Sequence, residues 1–320
     1  LLSDIVVRPS FDPVELEREK QVVLEEIRMV DYTPDDLIYD LFAEHFWPHH
    51  PLGRPIQGTE RTVGALNRRR MQGFFRRSYR PDRMMVVAAG NLDAAALSRQ
   101  VRTAFRDLAS NGGTVRPERP PKPQAGIVRR KKRDLEQIHL LMGLPAFPRT
   151  PDERYALHTM NALLGGTMSS RLFQTIREER GLAYSVFSGA SLFRDCGFLM
   201  IYAGTRPDRG REVVQLALAE LADLRERGPS EEELVVAKEH LKGSLMLSLE
   251  STASRMSNLA RQEIYYGRRV ELGQIVRGID RVTVGRVRGL ARRLFDDPPL
   301  ALAAIGNLDR FRMAERELKL

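Results

Sequence analysis

Residues 76–93 read RRSYRPDRMMVVAAGNLD and residues 292–309 read RRLFDDPPLALAAIGNLD, and the two run in step at a constant offset of 216. Arg76 meets Arg292, Arg77 meets Arg293, Tyr79 meets Phe295 and Ala88 meets Ala304; Gly90-Asn91-Leu92-Asp93 meets Gly306-Asn307-Leu308-Asp309. Each copy reads as a helix end, a short apolar strand and a glycine turn. The same shift carries Pro13, Glu15 and Glu17 onto Pro229, Glu231 and Glu233, all near predicted helix starts. Agreement at two distant places predicts a duplicated domain.

Ser110 to Gly126, SNGGTVRPERPPKPQAG, can continue neither a helix nor a central strand, so it is predicted to link a first domain over 1–109 to a second over 127–320. If the second copy opens near residue 127, the register places the opening of the first about 80 to 90 residues ahead of Leu1. The first domain is therefore expected to be incomplete. Asp12-Pro13-Val14-Glu15 predicts a helix with Asp12 as N-cap and Glu15 closing a capping box. In the second half, strands are predicted over 185–192 and 198–205, joined through Arg194-Asp195-Cys196-Gly197. Helices are predicted over 151–164, 208–227, 229–248, 252–266 and 283–295. Met84 to Ala89 and Leu300 to Ile305 read as short strands. The fold class is α+β, two homologous domains, each a mostly antiparallel sheet with helices packed on one side.

The 320 residues are 42% hydrophobic and 29% charged, which excludes wholesale disorder. A single cysteine, Cys196, excludes an intramolecular disulfide and a cysteine-based zinc cluster. No apolar run reaches the roughly 20 residues that span a bilayer, so no integral membrane segment is expected. The compartment stays open between cytoplasm and periplasm. A formal net charge of +9 admits an anionic partner. The densest basic run, Arg129-Arg130-Lys131-Lys132-Arg133, has no interleaved aromatic residue on which bases could stack. It reads as solvating the start of the strand around Ile138 to Met142, and no nucleic-acid partner is expected.

Histidine offers little metal chemistry. His45 and His49 are four apart, but Pro48 interrupts the turn between them, and the segment reads as leading into the turn at Pro51 to Pro55. His139, on an apolar strand, reads as structural. On the helix opening at Asp12, at about 100° per residue, Leu16, Val23, Leu24, Ile27 and Val30 share one stripe. Glu19 and Glu26 lie together along one edge of it, Glu17 lies on the other, and Glu25 points away. A carboxylate beside a buried stripe needs solvent or a partner, and a metal is one such partner. The shift by 216 replaces Glu19 and Glu26 with Val235 and Lys242, so an acidic site formed by them belongs to the first half alone.

Four ordered stretches, FDPVELEREKQVVLEEIRMV, HPLGRPIQGTE, YRPDRMMVVAAGNLD and LGGTMSSRLFQTIREERGLAYSV, together resemble the pitrilysin/insulinase family of zinc metallopeptidases. The resemblance is to its shorter members related to mitochondrial processing peptidase, and it covers nearly the whole chain. It implies duplicated α+β domains folded as a clam around a peptide chamber, with one zinc in the first half. There, a His-x-x-Glu-His motif supplies two ligands and the general base, and a later Glu is the third ligand. That later Glu corresponds to Glu26, and the family's assisting acid corresponds to Glu19. Arg177 and Tyr184, in IREERGLAY, correspond to the family's pair that holds the substrate backbone and the oxyanion. The turn Gly165-Gly166-Thr167-Met168-Ser169-Ser170-Arg171 lacks the Gly-Lys-Ser/Thr ending of a phosphate loop and resembles the family's glycine-rich turn.

No His-x-x-Glu-His occurs in the 320 residues. The resemblance places it about 75 residues ahead of Glu26, inside the stretch that the repeat register leaves out. The expected function is zinc-dependent endopeptidase action on peptides or unfolded polypeptides by the parent protein, with no hydrolysis by this chain alone. The alternative is a noncatalytic subunit of the same fold, acting as partner or structural core. A homodimer, or a heterodimer with a related subunit, is the expected assembly.

Overall fold

A computed structural model describes residues 1–108, 119–149 and 152–320. The helices of the first half are α1 (Leu2–Val7), α2 (Pro13–Tyr32), α3 (Pro34–Phe46), α4 (Glu60–Gly64), α5 (Arg68–Ser78) and α6 (Ala94–Ala104). Those of the second half are α7 (Glu153–Leu164), α8 (Gly210–Glu226), α9 (Glu231–Ser248), α10 (Thr252–Tyr266), α11 (Leu272–Asp280) and α12 (Val284–Leu294). The strands are β1 (Gly126–Lys131), β2 (Ile138–Ala146), β3 (Ala183–Leu192), β4 (Gly197–Thr205) and β5 (Ala301–Gly306). The fold is mixed α+β. Residues Ser110 to Glu118 of the predicted linker, and the start of the predicted 151–164 helix, lie outside the described residues.

The chain forms two compact units, one of Leu1–Met29, Ile56–Arg119 and Leu247–Arg269, the other of Val30–Pro55, Pro120–Met246 and Val270–Leu320. The second unit holds the sheet, in the order β1-β5-β2-β4-β3. All pairings are antiparallel except β1 with β5. Side chains alternate between two faces, as the period of two requires. Ile138, Leu140, Met142 and Leu144 of β2 join Leu302 and Ala304 of β5 and Leu199, Ile201 and Ala203 of β4 on one face. They pack against buried residues of α7, α8 and α12, among them Leu157, Met160, Leu221, Val287 and Leu290. The opposite set, Leu141, Tyr202, Ala301, Ala303 and Ile305, is covered by α3 through Leu37, Ile38, Phe42 and Phe46. Gly143 makes that cover possible: a Cβ there would lie 2.3 Å from Cζ of Phe42.

Arg129, Arg130 and Lys131 of the basic run lie in the edge strand β1, paired in parallel with β5, and Lys132 and Arg133 follow it ahead of β2. Charge on an edge strand discourages pairing with other chains. Four cations of the run are engaged with this protein. Arg129 donates to the Met313 carbonyl at 2.5 Å, Arg130 pairs with Asp31 at 2.5 Å, Lys131 pairs with Asp309 and Lys132 donates to the Asp31 carbonyl.

Among the described residues the first unit is helical and irregular. Asp12 caps α2 as read, its Oδ1 accepting from the Val14 and Glu15 N–H groups at 2.9 and 3.1 Å. Glu15 turns to Arg18 at 2.7 Å instead of completing a capping box. Met84 to Ala89 forms no strand: a strand is defined by its ladder, and no described segment runs beside this one to bond it. Met85 and Val86 are correspondingly exposed. Among the described residues no helix is long and apolar enough to cross a membrane.

Candidate functional site

Arg177 and Tyr184 are brought together by three local devices. Residues Phe173–Glu178 form a π-helical turn, with the Glu179 N–H donating to the Gln174 carbonyl at 2.9 Å. The turn ends at Gly181, whose φ of 59° is left-handed. There, the Leu182 N–H bonds the Ile176 carbonyl at 2.9 Å and the Gly181 N–H bonds the Arg177 carbonyl at 3.1 Å. The Gly181 bond spans four residues, as in an αL C-cap, and with the wider Leu182 bond it satisfies the last carbonyls and redirects the chain. β3 then begins with a bulge: Ala183 faces Thr205 and Ser185 faces Gly204, leaving Tyr184 without a ladder partner. Bulges of this kind re-aim side chains. Tyr184 is 77% exposed, and the Arg177 Cζ lies 5.5 Å from its ring centroid.

The start of this segment is fixed by Arg171. Its Nε donates to Glu233 Oε1 at 2.6 Å, one terminal nitrogen to Asp223 Oδ2 at 2.7 Å and the other to the Gly228 carbonyl at 3.2 Å. Arg171 therefore binds carboxylates of α8 and α9. The preceding Gly165 accepts from the Ser188 N–H at 3.0 Å, and a Cβ there would lie 2.5 Å from that nitrogen. Close approach of β3 accounts for the glycine without a ligand.

Glu19 and Glu26 lie on α2, in the first unit. The stripe they border is half-buried, with Leu16, Val23, Leu24 and Ile27 partly covered while Val14, Val22 and Met29 face outward. Both acids are exposed. Glu26 Oε2 accepts one long hydrogen bond, 3.5 Å, from the Gln57 side-chain amide. Its neighbour Glu25 pairs with Arg28 at 2.6 Å. A carboxylate this lightly engaged is of the donor type zinc takes. Yet among the described residues no three His, Cys, Asp or Glu side chains are grouped to hold a metal.

His45 lies in the last turn of α3, and His49 follows its end with a φ of 62°. His50 caps the short turn Pro51–Gly53, its Nδ1 accepting from the Leu52 N–H at 3.2 Å. His139 is half-buried, with Nδ1 2.8 Å from the Tyr202 hydroxyl. Burial holds its pKa below the ordinary histidine value, against the opposing pull of Asp35. Burial first, and Asp35 and Tyr39 after it, push the Tyr202 phenol well up. These groups pack the α3 face of the sheet.

The residue that sequence reasoning passed over is Phe173. Its ring centroid lies 4.8 Å from the Arg177 Cζ, on the π-helical turn. An aromatic four residues before an arginine was the available signal.

Residues 65–241 match the family described as peptidase M16 inactive domain, and residues 1–60 match insulinase, peptidase family M16. An uncharacterized zinc protease of Bacillus subtilis, YmxG, is 39% identical over 303 residues, spanning 94% of this chain and 73% of the relative. The mitochondrial-processing peptidase subunit beta of Blastocladiella emersonii is 29% identical over 318 residues, 97% of this chain and 68% of the relative. The crystal structure of a peptidase M16 inactive domain from Pseudomonas fluorescens superposes with a TM-score of 0.83. It is 22% identical and covers 95% of this chain and 73% of that one.

Proposed function

The chain belongs to the insulinase family, peptidase family M16, and we propose that the full-length protein is a zinc metalloendopeptidase acting on peptides or unfolded polypeptides. One observation carries the reading: 39% identity across 94% of the chain to a relative named a zinc protease. The paired Arg177 and Tyr184 support it. A guanidinium and an exposed phenol side by side can donate hydrogen bonds to a peptide carbonyl and to the oxyanion that develops from it. Zinc, when bound, supplies Lewis acidity at the scissile carbonyl. Glu26 would give it one carboxylate and Glu19 would assist from the same edge of α2. The two histidines and general base of His-x-x-Glu-His do not occur in the 320 residues, so the reading requires them from sequence outside these.

The duplication is part of the proposal, and several pairs of positions 216 apart support it. α5 and α12 start and end in register, and α2 and α9 end in register. Asn67 caps α5 by accepting from the Arg70 N–H at 3.0 Å, as Thr283 caps α12 by accepting from the Arg286 N–H at 3.2 Å. Gly90 and Gly306 share a positive φ, 144° and 134°.

A second reading is a noncatalytic subunit of the same fold. It is favoured by the description of the family matched at 65–241 as an inactive domain and by a relative named as a subunit. Assembly as a homodimer, or with a related subunit, fits either reading. The coding sequence ahead of Leu1 and the full-length protein discriminate. An intact His-x-x-Glu-His, with chelator-sensitive cleavage of a quenched peptide and zinc lost on Glu26→Gln, is the expected result. A degenerate motif and no cleavage would establish the silent subunit; unchanged zinc content in Glu26→Gln would remove Glu26 from the ligand set. Sedimentation of the full-length protein, alone and with a related subunit, tests the assembly.

A further inference from the structure

The Arg177 guanidinium has an aromatic ring on each of two neighbouring positions, Phe173 at 4.8 Å and Tyr184 at 5.5 Å from Cζ to the ring centroids. An α-helical turn of 3.6 residues would carry position 177 about 40° past position 173. The wider π-helical turn, whose bonds run from i to i+5, brings the two back toward alignment. π-Helical turns cost regular hydrogen bonding and concentrate at functional sites. Here the turn carries an arginine whose Cζ lies over the ring one turn before it. Glu178, whose Oε1 is 3.9 Å from the Arg177 Nε, is the acid that faces the same guanidinium.

We propose that Phe173 is a positioning residue: its ring, presented by the π-helical turn, holds the Arg177 guanidinium beside Tyr184 with its N–H edge left for a substrate carbonyl. Stacking takes up the faces of a planar guanidinium and leaves its donors in the plane, so restraint and hydrogen bonding do not compete. Without the ring, Arg177 would keep its charge and lose its direction. Glu178, 3.9 Å from the Arg177 Nε, would then compete with substrate for the same N–H groups. This inference rests on the reading of Arg177 and Tyr184 as the substrate-holding pair, while the contact itself is measurable without activity.

The test uses the full-length protein with Phe173→Leu, which keeps apolar bulk without a ring, and Phe173→Tyr, which keeps the ring. Phenylglyoxal modification of individual arginines is followed by peptide mass spectrometry, and cleavage of a quenched peptide is followed in parallel. In Phe173→Leu the modification rate at Arg177 is expected to rise several-fold, while Arg171 stays protected and Arg180 keeps its rate. The specificity constant kcat/KM is expected to fall about fivefold, the size of one cation–π contact. Phe173→Tyr is expected to restore both. An unchanged Arg177 rate in Phe173→Leu, or a rise at Arg171 of equal size, overturns the proposal. A wild-type protein that cleaves nothing but shows the expected Arg177 pattern overturns the peptidase reading and supports the contact.

Discussion

The Arg177 guanidinium rests 5.5 Å from the centre of the Tyr184 ring, although a π-helical turn, a glycine cap and a strand start separate them along the chain. If the pair holds the oxyanion, Tyr184→Phe removes one donor and keeps the ring. In the full-length protein kcat is expected to fall about 100-fold, the size seen when one such donor is lost. Zinc content and melting temperature are expected to stay unchanged. A variant with full kcat would assign the phenol another role.

Arg171 ties the head of that segment to Glu233 and Asp223, with its side chain 14% exposed. Arg171→Met leaves those carboxylates without their cation and is expected to cost about 3 kcal/mol, read from urea unfolding. A loss below about 1 kcal/mol would place the network with ordinary surface pairs.

The same network sets an acid limit. Burial alone would raise the Glu233 carboxyl, but hydrogen bonds from Arg171 and the Ser230 backbone N–H outweigh it and hold the carboxyl below the ordinary glutamate value. A group lowered in the folded state stabilises fully above its unfolded value, about 4.3. That contribution drains away as pH falls through the lower folded value. The melting temperature of the wild type is therefore expected to drop below pH ~4.3, and the Arg171→Met profile to be flatter there. Parallel profiles would contradict this assignment.

Gly143 and Phe42 meet across the sheet and α3, and a methyl carbon added at position 143 would lie 2.3 Å from the Phe42 Cζ. Gly143→Ala is expected to destabilise by about 1 to 3 kcal/mol through overpacking. Phe42→Leu in the same chain is expected to recover part of that loss, since the clash is with the ring. Strict additivity in the double-mutant cycle would show that the two positions do not press on one another.

Cys196 is half-buried, and burial, reinforced by the charge of Asp195, pushes its thiol up to about 11. At pH 8 about one thiol in a thousand is ionised at such a pKa, so alkylation by iodoacetamide is expected to be slow until the protein is denatured. Fast labelling of the native protein would contradict the environment described.

Much of the second half was legible in sequence because its signals are local. α10 spans Thr252–Tyr266 as periodicity predicts, and β3 and β4 meet through the turn at Arg194 to Gly197, with the Phe193 N–H donating to the Cys196 carbonyl at 2.8 Å. α3 was not read, although Thr33 and Pro34 mark a helix start and Ile38, Phe42 and Phe46 recur every four residues. The tryptophan, histidines and prolines just beyond it drew attention to the turn instead. That α3 covers a sheet whose five strands all lie after residue 125 is a tertiary fact with no local signature. The candidate site divides the same way: Arg177 and Tyr184 are marked by resemblance alone, whereas the π-helical turn that carries Phe173 depends on packing at both ends of the segment. Met84 to Ala89 has the composition of a strand, but no segment among the described residues pairs with it.

Because Tyr184 stands outside the pairing register of β3, exchanging its side chain disturbs neither the ladder nor the buried faces of the sheet. The position is thus a natural port: a fluorescent or photo-crosslinking amino acid installed there would report on whatever passes beside Arg177 while the scaffold stays intact.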